Sequence, residues 1–506
     1  MILEVTLSGL VIILLCLYLL VWRWEQKRFA HIPKVTPRLP FFGNMRELDL
    51  NQCHVIMTEW AQKFGPVYRI KAFDEEILVL NSFDSVHDAL VVKGSAFAGR
   101  PPMYRTATHQ RDKHSIVWQT YTDKLTFLRK EVLKSLKMYG DGMDNLEHKC
   151  APQIKVMVDT ITKHNGQQFD PWDVIYDAIS NVMLGLTLDT TFDHSTQKFK
   201  MIKDINYLFN DTFGAGSARE LDFLPWLSRL GLHKYSKKLQ RALIMRDTFW
   251  NEELKLLKAR DDTDCIVQRL LKLTTDNQSQ VHDVTELTAK EVFTNLILAG
   301  TDTTATALTC LLLVLIHEPD IQEKMWSEIH QHVGVNRLVT LADRVHMPYI
   351  QAVLLELLRY TSHVPLAVPH YTMCDTSVLD IPVPKNMTVY INLWALHHDP
   401  ERWPEPWTFK PERFLTNDGQ LLPVTDPVRR RLMTFGAGRR VCLGEALAKN
   451  RLFLFATALV QSFEFQRAPD ETNTKPQQLP KMDPRTYEMG LVLHPQHYQL
   501  IALARY

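Results

Sequence analysis

The chain has 506 residues, 45% of them hydrophobic and 23% charged, with a formal net charge of +1. That length builds a large core, and the balanced charge excludes a global electrostatic pull toward nucleic acid. The cysteines (Cys16, Cys53, Cys150, Cys265, Cys310, Cys374 and Cys442) are odd in number and scattered without a C-x-x-C pair, which argues against a disulfide framework or a zinc site and fits a reducing compartment.

Residues 5–22 are nearly all apolar and approach the ~20 residues that span a bilayer. Glu4 precedes the run, whereas Arg23, Lys27 and Arg28 follow it. A cleaved signal peptide has the opposite polarity and a small-residue cleavage site. The pattern predicts a retained single membrane helix within residues 1–28, with the basic flank and the bulk of the chain in the cytosol. The sequons at Asn210, Asn277 and Asn386 are then expected to carry no glycan. Pro33, Pro37 and Pro40 stop the helix and mark residues 29–44 as a stiff hinge. Residues 45–506 hold no Gly, Ser or Pro-rich linker and no repeat, so they are read as one catalytic domain.

Residues 67–70 and 77–80 read as two short strands around a turn, and residues 85–92 as a short helix. Residues 101–122 lack periodicity. Helical spacing returns at 125–138 and continues through 260, with polar breaks near 163–168 and 189–197. Phe209, Phe213 and the run Phe223-Leu-Pro-Trp-Leu227 make an aromatic patch, each member of which also suits ordinary core. The fold class is mainly α with a smaller β-rich lobe.

Residues 288–315 form a long, mostly apolar helix whose centre reads Ala299-Gly-Thr-Asp-Thr-Thr304. Hydroxyls here compete for backbone carbonyls, and Gly300 weakens the same turn, so the hydrogen-bond ladder is expected to open. Alone, such a turn is a solvated kink as readily as a proton relay. Glu356 and Arg359 share one helix face at i,i+3. Their helix is otherwise apolar, and Arg413 in Pro411-Glu-Arg-Phe414 supplies a second cation. Residues 364–368, with Val364 and Val368, read as a strand edge beside a pocket. His370 is either a satisfied surface histidine or a polar ligand. The turn at 487–491, beginning with Tyr487, is a further pocket candidate.

The stretch Phe435-Gly-Ala-Gly-Arg-Arg-Val-Cys-Leu-Gly444 organises the rest. Gly436, Gly438 and Gly444 permit a tight loop and close backbone approach. A helix over 446–463 follows, its N-terminal dipole favouring a thiolate at Cys442. A lone cysteine is usually a small buried hydrophobe, and a Gly-rich loop before a helix also cradles phosphate. The whole string, however, resembles the haem-binding signature of the cytochrome P-450 family, with Phe435, Gly438, Arg440, Cys442 and Gly444 on signature positions.

That resemblance runs from the anchor to the C-terminus, with four motifs in family order. It implies a triangular helical prism around buried haem b, held by Cys442 as axial iron ligand, a soft donor that favours O–O cleavage. Arg440, Arg129 and His370 are implied propionate contacts, although Leu125 stands where the family has Trp. Ala299, Asp302 and Thr303 match the oxygen-activating turn, with Asp302 and Thr303 relaying protons. Glu356, Arg359 and Arg413 match the structural triad behind the thiolate loop. Phe209, Val364, Val368 and Tyr487 are implied pocket residues.

The implied activity is a monooxygenase of the microsomal animal type at the endoplasmic reticulum, taking electrons from NADPH–cytochrome P-450 reductase, with cytochrome b5 as a further donor. Lys130, Lys134, Arg439 and Lys449 are candidate contacts for that partner, or simply solvated charges. The chain looks most like the branch holding steroid 17α-hydroxylase and the aryl-hydrocarbon hydroxylases, which favours a steroid, or a polycyclic aromatic, as substrate. A P-450-like isomerase or dehydratase and a non-enzymatic haem-binding protein are the rivals from other classes. Intact Asp302-Thr303 speaks against both.

Overall fold

The computed structural model describes Gly9, Ile13, Cys16, Leu20 and residues 27–39, 42–73, 75–108, 111–136, 141–213, 220–229, 233–260, 265–275, 282–468 and 481–506. The expected anchor at 5–22 lies outside these residues except for Gly9, Ile13, Cys16 and Leu20, which are helical, and Asn277 also lies outside.

The architecture is mainly α. The principal helices are α1 (Asp123–Leu136), α2 (Asp141–Thr162), α3 (Pro171–Leu188), α4 (Gln197–Phe213), α5 (Lys234–Lys258), α6 (Glu286–His317), α7 (Pro319–His332), α8 (Pro348–Thr361) and α9 (Glu445–Ser462). Local chemistry sets their starts. Pro171 occupies the first turn of α3, and the Asp170 carboxylate accepts from the Trp172 N–H at 2.9 Å. Thr285 and Thr288 form a reciprocal capping box at the start of α6.

Helix α6 is the axis of the molecule, packed against α3, α8 and α9. Leu308, Leu311, Leu312 and Leu315 are fully buried in one continuous core with Val182, Val353 and Phe455. Among the described residues α6 is the helix long and apolar enough to cross a membrane, yet it is mostly buried inside the protein, so it is core.

The β-rich part lies at one side. Strands β1 (Val67–Ala72), β2 (Glu75–Leu80), β3 (His370–Tyr371) and β4 (Thr388–Ile391) make a sheet in the order β1-β2-β4-β3 among the described residues. β1 and β2 pair antiparallel with Val67 opposite Leu80, and β2 and β4 pair parallel with Leu80 opposite Ile391. Two further pairs follow: β5 (Phe463–Arg467) pairs with β8 (Leu500–Ala504), and β6 (Glu488–Met489) forms a hairpin with β7 (Leu493–His494).

One local expectation needs correction, and two gain detail. Residues 364–368 are not a strand edge; Ala367 has φ 52°, a left-handed conformation that ends extended pairing, and the strand begins at His370. The helix expected at 85–92 is present, as a short α-helix, Phe83–His87, running into one π-helical turn, Asp88–Val92. The proline-rich segment is docked as well as stiff. Phe29, Ile32 and Val35 are buried, the Val35 N–H donates to Arg69 C=O at 3.1 Å, and the Arg69 N–H donates to Pro33 C=O at 2.8 Å.

Candidate functional site

The thiolate loop is built by its glycines. Gly436 and Gly438 have φ of 70° and 66°, which other residues rarely adopt. A Cβ on Gly438 would stand 1.7 Å from the Leu90 carbonyl oxygen, so the π-turn at 88–92 presses directly on this loop. The Gly436 N–H donates to Met433 C=O at 2.8 Å, and the Cys442 N–H to Phe435 C=O at 2.9 Å. This closed loop presents Cys442 at the mouth of α9. The cysteine is accessible, yet burial by the surrounding protein raises its thiol above the ordinary value. The Gly444 N–H, Arg129 and Arg451 oppose that shift by favouring the anion. An accessible sulfur with one backbone N–H bonded to it and two guanidinium groups near it suits a metal that takes the thiolate outright.

Facing elements repeat the pattern. Although α6 is sheathed by core, Ala299 is exposed and Gly300 and Thr303 are partly exposed, so this turn borders the interior space. The Thr303 hydroxyl donates to Ala299 C=O at 2.7 Å, and Arg451 on α9 donates to Gly300 C=O at 2.8 Å. Successive carbonyls of the turn thus answer to side chains, while the helix itself runs unbroken. Asp302 is buried, and neither of its carboxylate oxygens has a hydrogen bond.

Three guanidinium groups gather beside the loop. Arg129 donates to Val441 C=O at 2.5 Å. Arg440 is buried, donates to the Gln119 and Val117 carbonyls, and keeps Nε and Nη1 without a partner. Arg100 donates to Val117 C=O at 3.0 Å and Pro369 C=O at 2.8 Å. Among the described residues none of the three is paired with a carboxylate. Burial first, and then mutual repulsion, lowers Arg100 well below its ordinary value and Arg440 to about 9. Unpaired cations held together in this way call for anions. The two propionates of a haem are the anions that fit, with the sulfur on one side and the Ala299–Thr303 turn on another.

His370 is buried beside the same arginines. Its Nδ1–H donates to Phe97 C=O at 2.8 Å, and burial, with Arg100 and Arg440 nearby, keeps it well below its ordinary value and neutral. Leu125 is fully buried core and offers no donor.

Glu356 and Arg359 are completely buried and bidentate, both at 2.8 Å, and Arg413 reaches Glu356 at 3.3 Å. Arg359 also donates to His397 and Pro406 carbonyls at 2.9 Å, tying α8 to the segment that leads into the thiolate loop.

An apolar cavity is lined by Met103, Trp118, Phe213, Val364, Val368 and Leu491, with Arg105 on its wall. Val364 and Val368 are thus on that wall. Phe209 and Tyr487 are not; both are packed in the core, Phe209 under the Arg111 guanidinium and Tyr487 beside Cys310. Phe213, one turn further along the same face of α4, and Met489 and Leu491 take lining positions.

Sequence reasoning missed Arg100, Arg105 and Arg451 as site residues. Arg100 lies in the segment Phe97-Ala-Gly-Arg-Pro101, which resembles the family's entry to the loop over the haem, and was legible there. Arg451 was not, because beside Glu445 and Lys449 in the first turns of its helix it reads as one more surface charge.

A family profile described as Cytochrome P450 matches residues 33–502. The steroid 17-alpha-hydroxylase/17,20 lyase of Oryzias latipes is 30% identical over 519 residues, covering 99% of this chain and 96% of that protein. Cytochrome P450 1A1 of Chelon saliens is 29% identical, covering 99% of this chain and 97% of that protein. A zebrafish cytochrome P450 solved with progesterone superposes with a TM-score of 0.77 at 28% identity, over 89% of this chain and 99% of that one. The chain therefore belongs to the cytochrome P450 family, and it is a haem-b monooxygenase.

Proposed function

We propose that this monooxygenase acts on a neutral, lipophilic substrate, a steroid in the first place, with electrons from NADPH–cytochrome P-450 reductase and cytochrome b5. One observation carries the substrate class. The cavity wall is apolar and aromatic, and its one charged residue among those described, Arg105, is already met by Asp222 at 2.6 Å and by Thr212 C=O at 2.6 Å. No net charge is left to recognise an ionic substrate. A planar polycyclic aromatic is the second reading, favoured by the stacked Trp118–Phe213 pair, 5.4 Å apart at 30°. The relatives support both readings, since one is a steroid hydroxylase and another is a cytochrome P450 1A1.

In this reading Cys442 would hold the haem iron through its thiolate, and Phe435, Gly438 and Gly444 shape the loop that presents it. Arg129, Arg440 and Arg100 hold the propionates. When bound, haem b supplies the activation of O₂. The chain's own work is to exclude water, orient substrate against the Ala299 turn and deliver protons. Thr303 and Asp302 do the last, a function worth roughly 10²–10⁴-fold in rate for a positioned donor. Residues 1–28 anchor the protein in the endoplasmic reticulum membrane, residues 29–44 join the anchor to the domain, and residues 45–506 form the cytosolic catalytic domain. Lys130 and Arg439 are exposed on the side of α1 and the thiolate loop, and they meet an acidic reductase. Lys134 and Lys449 are already paired with Glu131 and Glu445 and contribute less.

The test is spectral titration of the full chain with progesterone, other steroids and planar aromatics. A type I shift with a steroid supports the first reading, and a shift confined to aromatics replaces it with the second. Shifts with neither class, or only with anionic ligands, overturn the substrate proposal.

A further inference from the structure

Asp302 has a side chain only 2% exposed and no hydrogen bond to either oxygen. A buried carboxylate without a partner is costly, so its charge must be met. Among the described residues the basic side chain within ion-pair range is His494, on β7, whose Nε2 lies 3.5 Å from Asp302 Oδ2. The other ring nitrogen, Nδ1, is 3.1 Å from the Thr306 hydroxyl, one turn further along α6. The His494 side chain is 26% exposed. One imidazole thus bridges a buried acid and the outside.

The surroundings of this contact are nearly free of competing groups. Trp172 stands edge-on to His494 at 5.2 Å and edge-on to His497 at 6.4 Å. His497 is 71% exposed and paired with Asp170 at 2.7 Å. His363, whose carbonyl accepts the Leu493 N–H at 2.7 Å, is pushed by burial down to about 4 and stays neutral. Tyr176, beside Asp302, is pushed well up by burial and keeps its proton. Both therefore stay uncharged near neutral pH.

We propose that His494 is the residue that feeds protons from solvent to Asp302. The proposal rests on the reading of Asp302 and Thr303 as proton donors to the reaction. In the step, the 3.5 Å contact closes to hydrogen-bond length, the N–H bond at His494 Nε2 breaks and an O–H bond forms at Asp302 Oδ2. Nδ1 keeps its proton toward Thr306, and solvent then returns a proton to Nε2. No electron moves. His494 touches neither substrate nor cofactor, so it is a positioning residue acting through Asp302. Its place on the β6–β7 hairpin also matters. Leu491, three residues earlier, lines the substrate cavity, so substrate contact and proton supply share one short hairpin.

The test uses the full-length holoenzyme and the variants His494→Gln, Asp302→Asn and their combination. Haem content and the spectrum of the reduced, CO-treated protein are expected to match wild type in His494→Gln. With the panel compound that gives the largest type I shift, product formed per NADPH is expected to fall about tenfold. That is less than the full 10²–10⁴ of a positioned donor, because water still reaches Asp302. The solvent isotope effect on NADPH oxidation is expected to rise. The double variant is expected to be no worse than Asp302→Asn alone, as for residues acting in series.

A readout without turnover accompanies these. His494→Gln is expected to lower the unfolding midpoint when Asp302 is intact and to have little effect in the Asp302→Asn background. Coupling and isotope effect unchanged in His494→Gln overturn the proposal. So does a multiplicative loss in the double variant, which marks His494 as a structural residue only. If no panel compound shifts the spectrum, the substrate reading fails, while the isotope effect without substrate still decides this one.

Discussion

Glu356 shows how much one buried charge can carry. Its carboxylate takes two bonds from Arg359, one from Arg413 and the Lys410 N–H at 2.9 Å. Removing it leaves two arginines without a counter-charge in the core, a loss of roughly 3–5 kcal/mol. Glu356→Ala is therefore expected to fold poorly and to retain little haem, read as the haem-to-protein ratio after purification. Full haem content would contradict the role. Thr303→Ala removes only a hydroxyl, at a partly exposed position bonded to Ala299 C=O. It is expected to keep haem content and to divert NADPH electrons from product to hydrogen peroxide, measured as the product-to-peroxide ratio. Cys442, Thr303 and Glu356 were legible in the sequence because each lies in a dense local pattern. His494 and Arg451 were not, because what makes them functional is a contact with α6, 188 residues away between His494 and Thr306, and 151 between Arg451 and Gly300. The bond from His370 Nδ1–H to Phe97 C=O was not legible either, because sequence alone does not fix that strand's register.

At the scale of elements, two glycines separate close packing from helix loosening. Gly438 combines φ of 66° with backbone contact at 1.7 Å from its would-be Cβ. Backbone cannot step aside, so Gly438→Ala is expected to displace the thiolate loop and abolish the thiolate spectrum. Gly300 differs. Its would-be Cβ meets the Met183 side chain at 2.6 Å, a flexible end that can rotate away. Gly300→Ala also gains helix propensity of roughly 1 kcal/mol. It is expected to fold and bind haem with an unfolding midpoint within a few degrees of wild type. The long helices were legible from periodicity and capping residues. The turn at 364–368 was not, since Val-rich composition mimics a strand and only the positive φ of Ala367 reveals otherwise.

For the whole molecule, buried neutral histidines set an acid limit on stability. His54 and His363 are both pushed by burial down to about 4. The unfolded chain protonates such rings near ~6.5, so above that pH both states are neutral and nothing is lost. As pH falls toward 4 the unfolded chain binds protons that the folded protein refuses. Stability is therefore expected to drop by about 2 kcal/mol per ring between pH 7 and pH 5, read from denaturant midpoints. A flat profile over that window would contradict the burial of these rings. The prism-like helical body and the small sheet were legible from family motifs spread along the chain. The docking of residues 29–44 onto β1 was not, because prolines advertise stiffness without saying what they rest on. The most direct measurement is the absorption spectrum of the reduced, CO-treated protein, wild type beside Cys442→Ser. The long-wavelength Soret band of thiolate ligation is expected in the first and absent in the second. A folded wild-type protein without that band would contradict ligation of the iron by Cys442.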